Sequence, residues 1–239
     1  NFTCKTMNIF MWSGPRNLST ALLRSFENRN DTIVLDEPFY AYYLKETKKN
    51  HPLTDEIINT YETNLDKIIN LVIKNRDYIF FQKHMSQHMI KKIPLNWIKS
   101  GINCFLIRNP KDVLISYIKK NNLNESKDLG FPSQLKILNF LKKHNEKIIV
   151  IDAEDLSNKP EETLKKLCDK INISFSLKML NWPKGARNSD GLWGKVWYEN
   201  VKSSSSFQKI IKKESKIPSQ YLNIYNECLE IYNKLKIYN

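Results

Sequence analysis

A short apolar run, a Gly-Pro turn and a helical pattern follow one another near the start of the chain. The run covers residues 9–11, the turn covers residues 13–17, and the helical pattern begins at Ser19. The first turn of a helix has backbone N–H groups without intrahelical partners, and the helix dipole attracts anions there. The segment therefore predicts a strand, a phosphate-binding loop and a helix in direct succession.

The loop differs from that of nucleoside triphosphatases, because the chain contains no Gly-x-x-x-x-Gly-Lys-Ser/Thr pattern. Arg16 supplies a fixed positive charge in place of that lysine. We expect the loop to hold a phosphate-like group without ordinary Mg-ATP chemistry. The predicted anion-binding residues are Ser13, Gly14, Pro15, Arg16, Asn17, Leu18, Ser19 and Thr20.

Apolar runs alternate with helical periodicity along the rest of the chain. Strands are predicted at residues 8–12, 32–35, 78–81, 102–107 and 147–151. Helices are predicted at residues 19–29, 55–74, 110–119, 133–143, 160–170 and 219–236. This alternation is typical of an α/β three-layer sandwich with a central parallel sheet, here of the P-loop nucleotide-binding-like type. The 239 residues suit a single domain of this kind.

Ligands of such sheets bind beyond the carboxyl ends of the strands. This rule brings several polar segments that are far apart in sequence to one edge of the sheet. The residues predicted at that edge are Ser13 to Arg16, Asp36, Glu37, Lys83, His84, Arg108 and Asp152.

The chain is basic, with 38 Lys and Arg against 25 Asp and Glu and a formal net charge of +13. The lysines are spread through the sequence rather than clustered with aromatic residues, so we interpret most of them as solvated charges and expect no nucleic-acid partner. Arginines are better candidates for specific anion contacts, because the guanidinium fork is geometrically selective.

The cysteine pattern and the hydropathy predict a cytoplasmic protein. The 4 cysteines form no CxxC pair, which disfavours a zinc site or a disulfide framework, and we expect no metal. No apolar run is long enough to span a membrane, and the first residues lack a signal-peptide core. Residues 1–6 are interpreted as a tag or processing remnant before Met7.

A second motif covers residues 107–117, where a predicted strand ends in arginine and a helix begins at Pro110. Ser116 lies two helical turns further on. Arg108 and Ser116 together suit a second phosphate group. A structural alternative, in which Arg108 pairs with Asp112 and the helix is merely capped, is equally compatible with the sequence.

These motifs resemble those of sulfotransferases that use 3′-phosphoadenosine 5′-phosphosulfate (PAPS). The sequence Arg-Asn-Pro-Lys-Asp-Val-x-x-Ser-Tyr at residues 108–117 resembles the family's 3′-phosphate motif. Ser-Gly-Pro-Arg-Asn-Leu-Ser-Thr at residues 13–20 is similar to the 5′-phosphosulfate loop of bacterial members. Further similarities lie at residues 36–39, 182–185, 193 and 197–198, in the family's order.

The resemblance implies transfer of a sulfuryl group from PAPS to a hydroxyl or amine of a small-molecule acceptor, without a metal. It assigns the 3′-phosphate to Arg108 and Ser116. A late element, Lys184-Gly185 with Arg187 close behind, is expected to contribute a further contact, and whether Lys184 or Arg187 makes it stays open.

The resemblance also implies the catalytic groups. Arg16 stands where better-known members have lysine, so we interpret it as an electrostatic clamp that donates hydrogen bonds but no proton. Lys83 is a second candidate for stabilising the leaving oxygen.

Glu37 and His84 compete as the base that accepts the acceptor's proton. Histidine has a pKa suited to this role, whereas glutamate needs its pKa raised by burial. The place of Glu37 directly after a predicted strand favours Glu37.

The acceptor pocket is expected to contain Phe39, Tyr40 and His88, whose rings suit a hydrophobic or phenolic alcohol. The irregular stretch at residues 182–207 is expected to contact cofactor and acceptor.

Two other functions remain compatible with the sequence. Residues 33–38 look like the Walker B strand of an ATPase or kinase. A protein that binds PAPS without catalysing transfer would carry the same motifs.

Overall fold

The computed structural model describes residues 7–210 and 215–239. Its sheet has five strands in the order β2-β3-β1-β4-β5, and every neighbouring pair is parallel. The strands are β1 (Met7–Ser13), β2 (Thr32–Asp36), β3 (Ile79–Met85), β4 (Ile102–Ile107) and β5 (Ile149–Asp152). The predicted parallel sheet of an α/β protein is thus confirmed.

Helices surround the sheet on both faces. The α-helices are α1 (Ser19–Glu27), α2 (Tyr40–Thr47), α3 (Thr54–Thr60), α4 (Leu65–Ile73), α5 (Pro110–Tyr117), α6 (Phe131–Lys143), α7 (Ala153–Asn158), α8 (Pro160–Ile171), α9 (Gly194–Trp197), α10 (Glu199–Ser203) and α11 (Leu222–Lys236). Short 3₁₀ turns lie at Ser86–His88, Asn96–Ser100, Ser126–Leu129, Leu177–Leu180 and Ser219–Tyr221.

The central strand β1 is buried on both faces, and its alternating side chains separate two apolar layers. Phe10 and Trp12 pack into the layer that contains residues of α4, α5, α6 and α11. Ile9 and Met11 pack into the layer that contains residues of α1, α7 and α8. This division follows from the two-residue period of a strand, and it explains the nearly continuous apolar sequence of the parallel strands.

The register aligns the carboxyl ends of the strands at one edge. Ser13 of β1 pairs with Met85 of β3 and with Leu106 of β4, while Asp36 of β2 pairs with Lys83. The first residues after β1, β2 and β4 therefore emerge side by side, as the sequence predicts.

The predicted helix over residues 55–74 is wrong in one respect, because the structure divides it into α3 and α4. Tyr61 has an extended backbone and ends α3, and the Asn64 side chain accepts a hydrogen bond from the backbone N–H of Lys67. Asparagine at this position satisfies an N–H that a helix start leaves unpaired. Helices α2, α7, α9 and α10 were not predicted.

Three further interpretations from the sequence concern the first residues, the cysteines and membrane-spanning segments. The tag or remnant assigned to residues 1–6 lies outside the described residues. Cys104, Cys168 and Cys228 are buried free thiols. Among the helices that the structure describes, none combines the length and apolar character needed to cross a bilayer.

We expect Asn64→Ala to lower the free energy of unfolding by about 1 kcal/mol, because it removes the N-cap of α4. Asn64→Asp keeps a side-chain acceptor and is the matched control. Urea-induced unfolding followed by circular dichroism measures both variants. Equal stability of Asn64→Ala and the unsubstituted protein would show that the cap does not define the start of α4.

Candidate active site

The turn between β1 and α1 has a strained backbone. Arg16 and Leu18 both have φ near 63°, a left-handed backbone conformation that residues other than glycine rarely adopt. Gly14 lies so close to Leu129 that a Cβ at this position would be 2.4 Å from the Leu129 carbonyl oxygen. Glycine is required there, and the turn is fixed against the segment before α6. Such strained turns concentrate at ligand-binding sites.

The turn ends in a helix start that has no side-chain cap. Leu18 occupies the cap position of α1, and its side chain accepts no hydrogen bond from the helix. The first backbone N–H groups of α1 are therefore available to a ligand. The cavity next to them is lined by residues of the turn and of the first turn of α1: Pro15, Arg16, Asn17, Leu18, Ser19, Thr20 and Ala21.

The two predicted anion-binding motifs are in direct contact. Arg108 donates from Nη1 to the Arg16 carbonyl oxygen at 2.6 Å, and Arg16 donates from Nε to Ser116 Oγ at 2.9 Å. These residues come from the turn, from the end of β4 and from α5. No hydrogen bond joins Arg108 to Asp112 among the described residues, although the Asp112 charge opposes the effect of burial on the pKa of Arg108.

Both guanidinium groups are partly buried, and burial lowers the pKa of Arg16 and of Arg108. Arginine stays charged even so. Arg108 Nε and Asn17 Oδ1 are buried and have no hydrogen-bond partner in the part of the chain that the structure describes. A desolvated cation with an unused donor is costly unless an anion compensates it, so this corner of the cavity is suited to a phosphate.

A buried lysine and two carboxylates form the second part of the site, which we call the lysine–carboxylate cluster (Lys83, Asp36 and Glu37). Lys83 donates from Nζ to Asp36 Oδ1 at 2.9 Å and to Glu37 Oε1 at 2.8 Å. It also lies 2.6 Å from the Tyr198 hydroxyl and 3.1 Å from Thr20 Oγ1. The carboxylates raise the pKa of Lys83 against the opposing effect of burial.

The two carboxylates differ in how fully they are bonded. Asp36 accepts from Lys83 with Oδ1, and with Oδ2 it accepts from Tyr198 at 2.5 Å and from Trp193 at 3.0 Å. Glu37 is bonded through Oε1 only, as far as residues 7–210 and 215–239 show. Glu37 lines the cavity and Asp36 does not, so the unbonded Oε2 of Glu37 is available to a ligand.

Glu37 also sits in a strained conformation, with φ of 46°. Its backbone N–H donates to the Lys83 carbonyl oxygen at 2.9 Å, which fixes the turn after β2 against β3. Burial raises the pKa of Glu37, although the Lys83 ammonium opposes this effect. A carboxyl group with a raised pKa is closer to the range useful for proton transfer near neutral pH.

His84, the alternative base, points away from the cavity. It follows Lys83 along β3, and consecutive strand residues face opposite sides. Its ring lies 4.7 Å from the Trp12 ring and 5.8 Å from the Phe39 ring, measured between centroids. Burial lowers the pKa of His84 to about 3. His84 is therefore a core residue here, and the same packing removes Phe39 from the predicted acceptor pocket.

Lys184, Gly185 and Arg187, which the sequence predicts as a further phosphate contact, lie away from the cavity. Arg187 faces Glu27 at 3.8 Å, and its backbone N–H donates to Asp190, which in turn binds Arg24 at 2.5 Å. Glu27 is the last residue of α1, whereas the anion-binding turn precedes its first residue. The length of α1, roughly 13 Å, separates the two. Lys184 and Gly185 do not line the cavity either.

The cavity has a volume of about 950 Å³. Of the predicted residues, it is lined by Pro15, Arg16, Asn17, Leu18, Ser19, Thr20, Glu37, Tyr40, Lys83, His88 and Arg108. Ser13 and Gly14 are buried in the turn, whereas Ser116 is partly exposed beside the cavity and accepts a hydrogen bond from Arg16. Asp152, predicted at the same edge, caps α7 and accepts a hydrogen bond from Tyr232.

A polar region of the cavity could not be foreseen from the sequence. Lys49 donates to Asp128, and His51 Nδ1 lies 2.8 Å from the Tyr40 hydroxyl. His88 stacks on Tyr40 with ring centroids 4.6 Å apart, and burial lowers its pKa well below the ordinary value. Lys49 and Asp128 are far apart in the chain and belong to no motif. Only the approach of the segment after α2 to the turn before α6 brings them together.

No three His, Cys, Asp or Glu side chains are grouped as metal ligands within the described part of the chain.

Comparison with known proteins relates this geometry to a family. The family model described as Sulfotransferase domain matches residues 7–237. The sulfotransferase domain from the curacin biosynthetic pathway aligns with a TM-score of 0.55 at 18% identity, covering 93% of this chain and 97% of that chain. A sulfotransferase from Alicyclobacillus acidocaldarius aligns with a TM-score of 0.56 at 10% identity, covering 98% and 96%. At these identities the two structures support the fold alone.

A curated relative from Arabidopsis thaliana, Branched-chain-amino-acid aminotransferase-like protein 2, is 35% identical over 230 residues. The match covers 95% of this chain but only 41% of that protein. The chain thus spans less than half the length of this relative, whose name describes the longer protein. Because the family model covers nearly the whole sequence, the chain belongs to the sulfotransferase domain family.

Proposed function

We propose that the protein transfers a sulfuryl group from PAPS to a small-molecule acceptor and releases adenosine 3′,5′-bisphosphate. The observation that carries this proposal is the meeting of two cationic motifs, around Arg16 and Arg108, beside an uncapped helix start. PAPS presents two separated anionic groups, and this arrangement offers a binding place for each. When bound, PAPS supplies the activated sulfuryl group.

The residues present fit such a donor. The turn at residues 13–20 would hold the 5′-phosphosulfate through the N–H groups of α1. Arg108 and Ser116 would hold the 3′-phosphate, with the unused Nε of Arg108 as a further donor. The Arg16 side chain extends toward Ser116 rather than toward the helix start, so it would serve the 3′-phosphate side as well as clamping the turn.

The chemistry of the transfer is assigned to Glu37 and Lys83. Glu37 would accept the proton of the acceptor hydroxyl on Oε2, which no described residue occupies. Lys83, held 3.1 Å from Thr20 at the start of α1, would place positive charge near the leaving oxygen. Asp36, whose oxygens are already bonded, would hold Lys83 in place.

The acceptor is proposed to be a polar alcohol rather than a plain phenol. Phe39 is packed in the core, and the part of the cavity beyond Glu37 contains Lys49, His51 and Asp128. Lys49 stays about one-third exposed despite its bond to Asp128, so its ammonium group is accessible to an acceptor that carries a carboxylate or further hydroxyls.

An ATPase or kinase is the alternative function with which the sequence at residues 33–38 is compatible. The carboxylates at the end of β2 are already paired with the Lys83 ammonium, and Asp36 also accepts from Trp193, which disfavours a Mg²⁺ site there. Thermal unfolding with adenosine 3′,5′-bisphosphate or with Mg-ATP separates the two functions. A larger stabilisation by Mg-ATP would overturn the sulfotransferase proposal.

Arg108→Ala is expected to weaken binding of adenosine 3′,5′-bisphosphate about tenfold to a hundredfold, because it removes charge-assisted hydrogen bonds to a phosphate. Arg187→Ala is the matched control and should leave the affinity unchanged, since Arg187 lies at the far end of α1. Isothermal titration calorimetry measures both. Unchanged affinity in Arg108→Ala would contradict the role of Arg108, and a loss in Arg187→Ala would show that Arg187 makes the further contact that the sequence resemblance implies.

Glu37→Gln should lower kcat by at least about a hundredfold while donor affinity is retained, since a general base contributes roughly that much. In the unsubstituted enzyme, kcat should fall as the pH drops through the raised pKa of Glu37, because the protonated carboxyl group accepts no proton. The acidic limb of kcat should therefore lie above the ordinary pKa of glutamate. His84→Ala measured alongside tests the alternative: a greater loss of kcat there, at equal donor affinity, would transfer the role to His84.

With PAPS supplied, alcohols that carry a carboxylate or several hydroxyls should react faster than unsubstituted phenol, as measured by mass spectrometry of the products. Lys49→Met should lower kcat/KM for the anionic alcohols about tenfold and leave donor affinity unchanged, because one charged hydrogen bond is lost. Preference for phenol in the unsubstituted enzyme would contradict the polar pocket.

A further inference from the structure

A segment that the predicted catalytic residues do not include closes one side of the cavity. We call residues 193–203, which hold α9 and α10, the covering segment. Its side chains that line the cavity are Trp197, Tyr198, Asn200, Val201 and Ser203. The two helices are short, and their position is set by apolar packing of Trp193 and Tyr198 against residues of α2 and α3 together with a few hydrogen bonds.

The strongest of these contacts reach the lysine–carboxylate cluster. Trp193 donates from Nε1 to Asp36 Oδ2 at 3.0 Å, and Tyr198 donates to the same oxygen at 2.5 Å. Trp193 and Tyr198 are 2% and 4% exposed, although they belong to a segment at the edge of the protein. A buried carboxylate at the end of β2 thus holds both ends of the first turn of the covering segment.

The Tyr198 hydroxyl has more neighbours than protons. It has one proton. Because the hydroxyl oxygen lies 2.5 Å from Asp36 Oδ2 and 3.2 Å from Glu37 Oε1, we infer that it donates its hydrogen bond to Asp36. Its oxygen then accepts from Lys83 at 2.6 Å, and it shares the single Nε1–H of Trp193 with Asp36 Oδ2, at 3.0 Å from each oxygen. Burial and the two nearby carboxylates raise the pKa of Tyr198 well above its ordinary value, so the hydroxyl stays protonated.

The same hydroxyl helps to fix Lys83. An ammonium group has three protons, and Lys83 Nζ has four oxygen neighbours, of which Tyr198 is the nearest and Thr20 the farthest. Tyr198 also places its ring 4.7 Å from Nζ. The ammonium group is thus held between the covering segment and the start of α1, where the donor's leaving oxygen would lie.

We propose that Tyr198 is a positioning residue that acts through Asp36 and Lys83: it fastens the covering segment to the lysine–carboxylate cluster and holds the Lys83 ammonium in place for transfer. This inference rests on the proposed function for its kinetic part. Its structural part, the fastening of the covering segment, is independent of which reaction the site catalyses.

The test compares two tyrosine-to-phenylalanine substitutions that remove the same kind of hydrogen bond. Tyr198→Phe removes the hydroxyl from Asp36. Tyr232→Phe removes a buried hydroxyl that donates to Asp152 at 2.6 Å, away from the cavity. Both variants lose a hydroxyl that donates to a buried carboxylate, and Tyr198→Phe also loses the hydrogen bonds from Lys83 and Trp193, so it should be the more destabilised of the two.

Amide hydrogen exchange tests the fastening without any substrate. Residues 193–203 should exchange at least about tenfold faster in Tyr198→Phe, because loss of the hydroxyl lowers the cost of opening that segment locally. Tyr232→Phe should exchange there like the unsubstituted protein. Equal exchange of the covering segment in all three proteins would overturn the fastening role.

Steady-state kinetics test the positioning role. Tyr198→Phe should lower kcat about tenfold to a hundredfold with the KM for PAPS within about threefold, since a small displacement of a reacting group has this effect. Tyr232→Phe should keep kcat. Unchanged kcat in Tyr198→Phe would overturn the positioning role, whereas absence of transfer by the unsubstituted protein would contradict the proposed function and leave the exchange result to decide the fastening.

Discussion

The buried ammonium group of Lys83 connects the parts of the structure on which the site depends. It joins β3 to the end of β2 through Asp36 and Glu37, to α1 through Thr20, and to the covering segment through Tyr198. Burying one cation with two carboxylates is costly unless the groups are well bonded, and removing one partner of such a set typically costs about 3–5 kcal/mol. The cluster therefore costs folding free energy unless all of its bonds are formed. Its presence at the edge of the sheet is consistent with a role in catalysis.

The different roles proposed for Asp36, which holds Lys83, and for Glu37, which acts as the base, follow from their hydrogen bonds. Asp36 accepts hydrogen bonds on both oxygens, whereas Glu37 has one oxygen that no described residue bonds, and Glu37 lines the cavity. A base must accept a proton from outside the protein, so the less fully bonded carboxylate is the better candidate. The strained backbone of Glu37 holds that oxygen at the cavity.

The anion-binding part of the site depends on a different balance. Arg16 and Arg108 lie close enough to repel each other, and each is partly buried. The contacts of Arg108 with the Arg16 carbonyl oxygen and of Arg16 with Ser116 hold them in place. A bound anion would relieve both the repulsion between the two guanidinium groups and their loss of solvation. This compensation would favour the binding of phosphate groups that we propose.

The sequence by itself determined the parallel α/β sheet, the turn before α1 and the proximity of Arg16 to Arg108, because these follow from local patterns and from the rule that parallel strands end at one edge. Local patterns could not separate Glu37 from His84: only the pairing of β3 decides that Lys83 faces the cavity while His84 enters the core. Nor could they show that Arg187 pairs with Glu27, or that Lys49 meets Asp128. Those contacts join segments far apart in the chain, and tertiary packing alone sets which side chains are neighbours and which are desolvated.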